Sequence, residues 1–62
     1  MSFKFSMNAY GYDVIWRDSA RWLGFVWRDE GGWSAKTADG RRIMTPCRTR
    51  NDAAWELFRA AG

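Results

Sequence analysis

The sequence predicts a small α+β domain: an antiparallel meander sheet of four strands, five if the first segment pairs, with one C-terminal helix packed on one face. Two patterns carry this expectation. As far as Pro46, short segments of alternating apolar and polar residues are separated by turn residues. From Thr49 onward the apolar spacing becomes helical. Sixty-two residues make one domain spanning 1–62, with strands inside 2–46 and the helix at about 50–61. The chain reads as a complete small protein.

"MSFKFSM" alternates Phe3, Phe5 and Met7 with Ser2, Lys4 and Ser6, the pattern of a half-buried strand, and "NAYG" breaks it. "YDVIWR" puts Tyr12, Val14 and Trp16 on one side, with Asp13, Ile15 and Arg17 on the other. After the turn "DSA", "RWLGFVWR" is apolar on both faces, as a central strand would be. "DEGG" supplies turn glycines, and "WSAKT" resumes the alternation with Trp33, Ala35 and Thr37. Asp39-Gly40 is a hairpin signal for a turn with positive φ at both central residues. "RRIMT" follows, and Pro46 is expected to end the sheet because it lacks a ladder donor.

The helix begins at Thr49, an N-cap with Asp52 three residues on. Ala54, Leu57, Phe58 and Ala61 then form one stripe, with Trp55 beside it, and the sheet is its natural partner. Glu56 and Arg59 stand close enough along the helix to pair.

Composition narrows the function classes. A 47% hydrophobic and 18% aromatic content argues against disorder. So short a chain must place most of its aromatic rings in the core; a homodimer would add buried surface. Without histidine, general acid–base catalysis has no ready carrier, and the carboxylates fall mainly in turns and the helix start. Asp29 and Glu30 read as turn residues. One cysteine without histidine cannot build a zinc site, and Cys47 would lack a base as a nucleophile, so it reads as a packed thiol. Gly31-Gly32 lacks the spacing of a phosphate loop. The expectation is a non-enzymatic protein with no cofactor. No disulfide is available, which fits a reducing, cytoplasmic setting, and no apolar run is long enough for a secretory signal or a membrane span.

A net charge of +3 and a pI near 9.6 favour an anionic partner: nucleic acid, a nucleoprotein or an acidic protein. If the helix covers the side carrying Trp33 and Ala35, strict alternation turns Ser34, Lys36, Arg42 and Met44 outward. It also turns out Trp22, Gly24, Val26 and Arg28, leaving Leu23, Phe25 and Trp27 for the core, and turns out Arg17 with Asp13 and Ile15. The candidate binding face then holds Arg17, Trp22, Arg28, Lys36 and Arg42, with Arg41 and Arg48 extending positive charge toward the last strand and the helix start. Cations would bind phosphates while the aromatic stacks or wedges. Arg50 opposes the helix dipole, which hints at a partner anion there.

Gly24-Phe25, Trp33-x-Ala35, Gly40-Arg41, Thr49, Asp52-Ala53-Ala54 and Ala60-Ala61 resemble the three-stranded-sheet-plus-helix DNA-binding module of plant ethylene-response factors and phage integrase arm-binding domains. The resemblance covers residues 24 to 61. It implies a sheet entering the major groove, with Arg28, Lys36 and Arg42 at the reading positions. Asp29-Glu30-Gly31-Gly32-Trp33-x-Ala35, with Thr49 to Ala53, is also similar to the N-terminal part of HicB-type antitoxins, which implies a protein target. In size and basic character the chain resembles accessory proteins of phages and mobile elements, anti-CRISPR inhibitors among them. That implies a binder that blocks a host protein.

Overall fold

The computed structural model describes residues 3–61. Five strands form one antiparallel sheet in sequence order: β1 (Phe3–Met7), β2 (Tyr12–Trp16), β3 (Arg21–Asp29), β4 (Gly32–Thr37) and β5 (Arg42–Cys47). The helix α1 (Arg50–Ala60) follows and lies over β3, β4 and β5. The first segment does pair, completing the five-stranded form of the meander.

Small residues let the helix approach the sheet closely. Ala53, Ala54 and Leu57 are fully buried against Val14, Leu23, Val26, Ala35 and Cys47. Over β1 and β2, where the helix does not reach, aromatic side chains fill the same layer. Phe3 meets Trp55 edge-on with ring centroids 5.0 Å apart, and Trp16 lies 4.4 Å from Phe58. Phe58 was placed in the buried stripe by its spacing, but it and Trp55 flank that stripe and stay partly exposed. They form the seam between helix and β1–β2.

Register shifts at two places: the one between β4 and β5, from Trp33 to Ala35, keeps Cys47 and Ile43 on the helix side, and the one between β2 and β3 has large consequences. Val14 pairs with Gly24 and Ile15 with Trp22, so Leu23 is an extra residue opposite β2. This is a β-bulge. Gly24 takes φ +147°, and a Cβ there would collide with the Lys36 carbonyl oxygen, so glycine is the residue the bulge admits. Trp22 points away from the helix and Leu23 toward it, as alternation predicts. Beyond the bulge the phase is reversed. Val26 is fully buried on the helix side, paired with Tyr12 and Ala35. Phe25 and Trp27 therefore face out, which corrects the expectation that placed them in the core. Arg28 pairs with Trp33 and so stands on the helix side, at its exposed end, rather than on the open face. A shift of one residue exchanges the two sides of a strand.

The turns show smaller corrections. Between β4 and β5, Thr37 accepts from the Gly40 amide at 3.0 Å, and only Gly40 has positive φ. The hairpin is a three-residue loop ending in a left-handed glycine, not the two-residue turn with positive φ at both centres. Pro46 lies inside β5, which runs on to Cys47. β5 is an edge strand, where a missing amide costs no ladder bond. Thr49 caps the helix by accepting from the Asp52 amide at 3.1 Å, and Glu56 pairs with Arg59 at 3.4 Å, both as the sequence indicates.

Candidate functional site

The helix-free side of the sheet carries the candidate site. One row of cross-strand neighbours runs over all five strands: Ser6, Asp13, Phe25, Lys36 and Arg42. Trp27 and Ser34 form the adjoining pair, and Lys4, Ile15 and Trp22 form a second row toward the other end of β3. Three aromatic side chains, Trp22, Phe25 and Trp27, thus line the outer side of the central strand. Phe25 and Trp27 lie side by side, with centroids 5.7 Å apart and planes inclined by 35°. The Arg42 guanidinium stands 5.8 Å from the Trp27 ring centroid, a cation–π distance.

Tyr10 completes the cluster from the β1–β2 loop. Asn8 shapes that loop: its side-chain oxygen accepts from the Tyr10 and Gly11 amides, each at 2.8 Å, and its amide group donates to Asp13 at 3.2 Å. Gly11 runs so close to β3 that a Cβ would strike the Val26 carbonyl oxygen. Tyr10 then borders, with Phe25, Trp27 and Lys36, a shallow depression of about 310 Å³ on the open face. Tyr10 is 83% exposed and Trp22 47%, large apolar surface that the fold leaves in water.

Two carboxylates share this side, and both are occupied locally. Asp13 accepts from Asn8. Asp29 accepts from the Ser34 hydroxyl and the Gly31 amide, and these hydrogen bonds, with the Ser34 one the strongest influence, hold its carboxyl below the ordinary value. Asp29 ends β3 and Glu30 stands in the turn to β4. Lys36 and Arg42 have no ion-pair partner among the described residues.

The structure thus brings together three of the sequence-derived site residues, Trp22, Lys36 and Arg42, on one face. It separates the others. Arg17 is exposed in the turn after β2, and Arg48 is exposed just before the helix cap. Arg41 pairs with Asp39 at 3.4 Å and donates to the Ala60 carbonyl at 3.2 Å, tying the helix C-terminus to the β4–β5 turn. Arg50, read as facing an outside anion, instead lies over Phe5 and Tyr12, 4.2 and 4.7 Å from their ring centroids. The aromatic layer supplies its partner.

Tyr10, Phe25 and Trp27 are the site residues that alternation missed. The available signal was Gly24 inside a strand apolar on both faces, a common mark of a bulge. Cys47 is buried, and its thiol donates to the Thr45 carbonyl at 3.4 Å. Burial first, then the Glu56 and Asp52 charges, push its pKa up, the opposite of what a nucleophile needs. No group of three or more potential metal ligands clusters among the described residues, and no helix there is long and apolar enough to cross a membrane. Comparison with protein-family models, curated proteins and solved structures finds no match.

Proposed function

We propose that the chain is a non-enzymatic binding module that takes nucleic acid on the helix-free face of its sheet. The observation that carries this reading is the interleaving of rings and cations on an uncovered face: exposed Tyr10 and half-buried Phe25 and Trp27 beside Lys36 and Arg42. Cations gain by releasing counterions from phosphates, and ring faces gain by stacking on bases. An overall charge of +3 favours the encounter.

The test is fluorescence anisotropy of labelled oligonucleotides across a salt series. Lys4, Lys36 and Arg42 stand on this face, so about three phosphates are neutralised. Affinity should then fall roughly 20-fold between about 50 and 200 mM salt. Lys36→Ala with Arg42→Ala should flatten that dependence, whereas Arg28→Ala, on the helix side, should leave it nearly unchanged. Absence of binding to any nucleic acid at low salt would refute the reading. A second reading rests on the same exposed Trp, Tyr and Arg side chains, which are also the preferred anchors of protein interfaces. On that reading the face blocks a protein target, and the complex persists at high salt.

A further inference from the structure

We infer that the ligand of this face is single-stranded, with neighbouring unpaired bases lying on Phe25 and Trp27 and their phosphates drawn to Lys36 and Arg42. This rests on the nucleic-acid reading above and specifies its substrate. Two features of the site favour it. The first is the chemistry of the platform. In a duplex, base faces are hidden in the stack and only edges and phosphates are offered. Reading edges takes several hydrogen-bonding side chains, but the centre of this face presents rings: Tyr10, Phe25 and Trp27 around one shallow depression. Rings are useful to bases whose faces are free.

The second feature is spacing. Successive bases of a duplex strand rise by about 3.4 Å, whereas the Phe25 and Trp27 centroids are 5.7 Å apart with their planes inclined by 35°. Two bases resting on them are separated from each other, as in an extended strand. Lys36 lies directly across from Phe25 and Arg42 directly across from Lys36, so both cations adjoin the rings. The Arg42 guanidinium, which lies over the Trp27 ring, is a planar cation that stacks as well as pairs with phosphate, and it swings from the ring to the phosphate when a base takes its place. Tyr10, projecting from a loop pinned by Asn8, closes one side of the depression.

The experiment compares a short labelled mixed-sequence single strand with the same sequence as a blunt duplex at low salt. Tighter binding of the single strand is expected. Trp27→Leu and Phe25→Leu, tested separately and checked for folding by circular dichroism, should each weaken single-strand binding by about 5- to 150-fold, the usual range for one stacked base. The salt slope should stay unchanged in both, because stacking is not ionic, whereas Lys36→Ala should lower the slope. Trp27→Tyr should retain most of the affinity. Equal or tighter duplex binding, or full affinity in both leucine variants, overturns the single-strand inference while leaving nucleic-acid binding standing. Binding of neither probe removes both, and leaves a protein as the ligand of this face.

Discussion

The two sides of the sheet are both rich in aromatic residues, yet they use them differently. On the helix side Phe3, Phe5, Tyr12, Trp16, Trp33, Trp55 and Phe58 form a chain of mostly edge-on contacts along the edge of α1. Arg50, a cation seated on that layer, is held by two rings. On the open side Tyr10, Trp22, Phe25 and Trp27 stand among Lys4, Lys36 and Arg42 with no covering element. The same residue class packs ring on ring on the helix side and, at Tyr10 and Trp22, is left facing water on the other. Core rings gain by excluding water, and rings left in water have that gain still in reserve for a ligand.

The sharpest way to break the comparison is to truncate one residue on each side. Leu57→Ala, at a fully buried position, should destabilise the domain by about 2–5 kcal/mol, enough to unfold much of so small a protein. Trp27→Ala, at a half-buried position on the open side, should cost less, about 1–3 kcal/mol, from lost apolar burial and its cation–π and ring contacts. Urea denaturation measures both, and equal losses would mean that the open side is a second core.

Gly24→Ala comes next, because it attacks the device that separates the sides. With φ +147° and the Lys36 carbonyl in the way of a Cβ, it should cost about 1–3 kcal/mol. It should also disturb amide signals of β3 and β4 more than those of β1.

Ala20→Gly should act in the other direction. Ala20 is the one non-glycine residue with positive φ among those described, at 55°. Relief of that left-handed strain, about 1 kcal/mol, is partly offset by glycine's greater freedom in the unfolded chain. A net gain of a few tenths of a kcal/mol is expected by thermal denaturation.

Titration gives the gentlest probe, because each side carries a different group. Cys47, on the helix side, has a raised pKa. Below the ordinary thiol value of 9.0 both folded and unfolded chains keep the proton, and stability is full. Above it the unfolded chain ionises first, so stability falls as pH rises toward the folded value. Cys47→Ala should flatten this alkaline limb. Asp29, on the open side, has a depressed pKa owed first to Ser34. Its contribution is present above the ordinary carboxylate value and is lost as pH falls through the folded one. Asp29→Asn should flatten part of the acid limb.

The sequence made most of the fold legible, because turn and cap chemistry is local. Asp29 and the glycines after it, Gly40 after Asp39, and Thr49 before Asp52 each mark a boundary within a few residues of itself. Which side each strand presents was legible wherever alternation runs unbroken, as in β2 and β4. That sufficed to place Lys36 and Arg42 outward and Trp33 inward. It failed in β3 after Leu23, because a bulge depends on how two strands meet and not on either strand alone. Arg28 was misplaced for that reason, and Phe25 and Trp27 were overlooked. Partners distant in the chain were equally invisible. Nothing near Arg41 reveals the Ala60 carbonyl, and nothing near Arg50 reveals Phe5.

The extra residue opposite β2 also bears on how this domain could have diverged. Losing Leu23 by a one-codon deletion would leave Ile15 against Trp22 and Val14 against Gly24 with nothing between them, so Phe25 would stay outward and Val26 inward. Such a deletion would take one buried leucine from beneath the helix without exchanging the sides of residues 25 to 28. Long-separated copies could therefore shed the insertion while keeping the same oily and wettable letters downstream, provided a neighbour grew to fill the space.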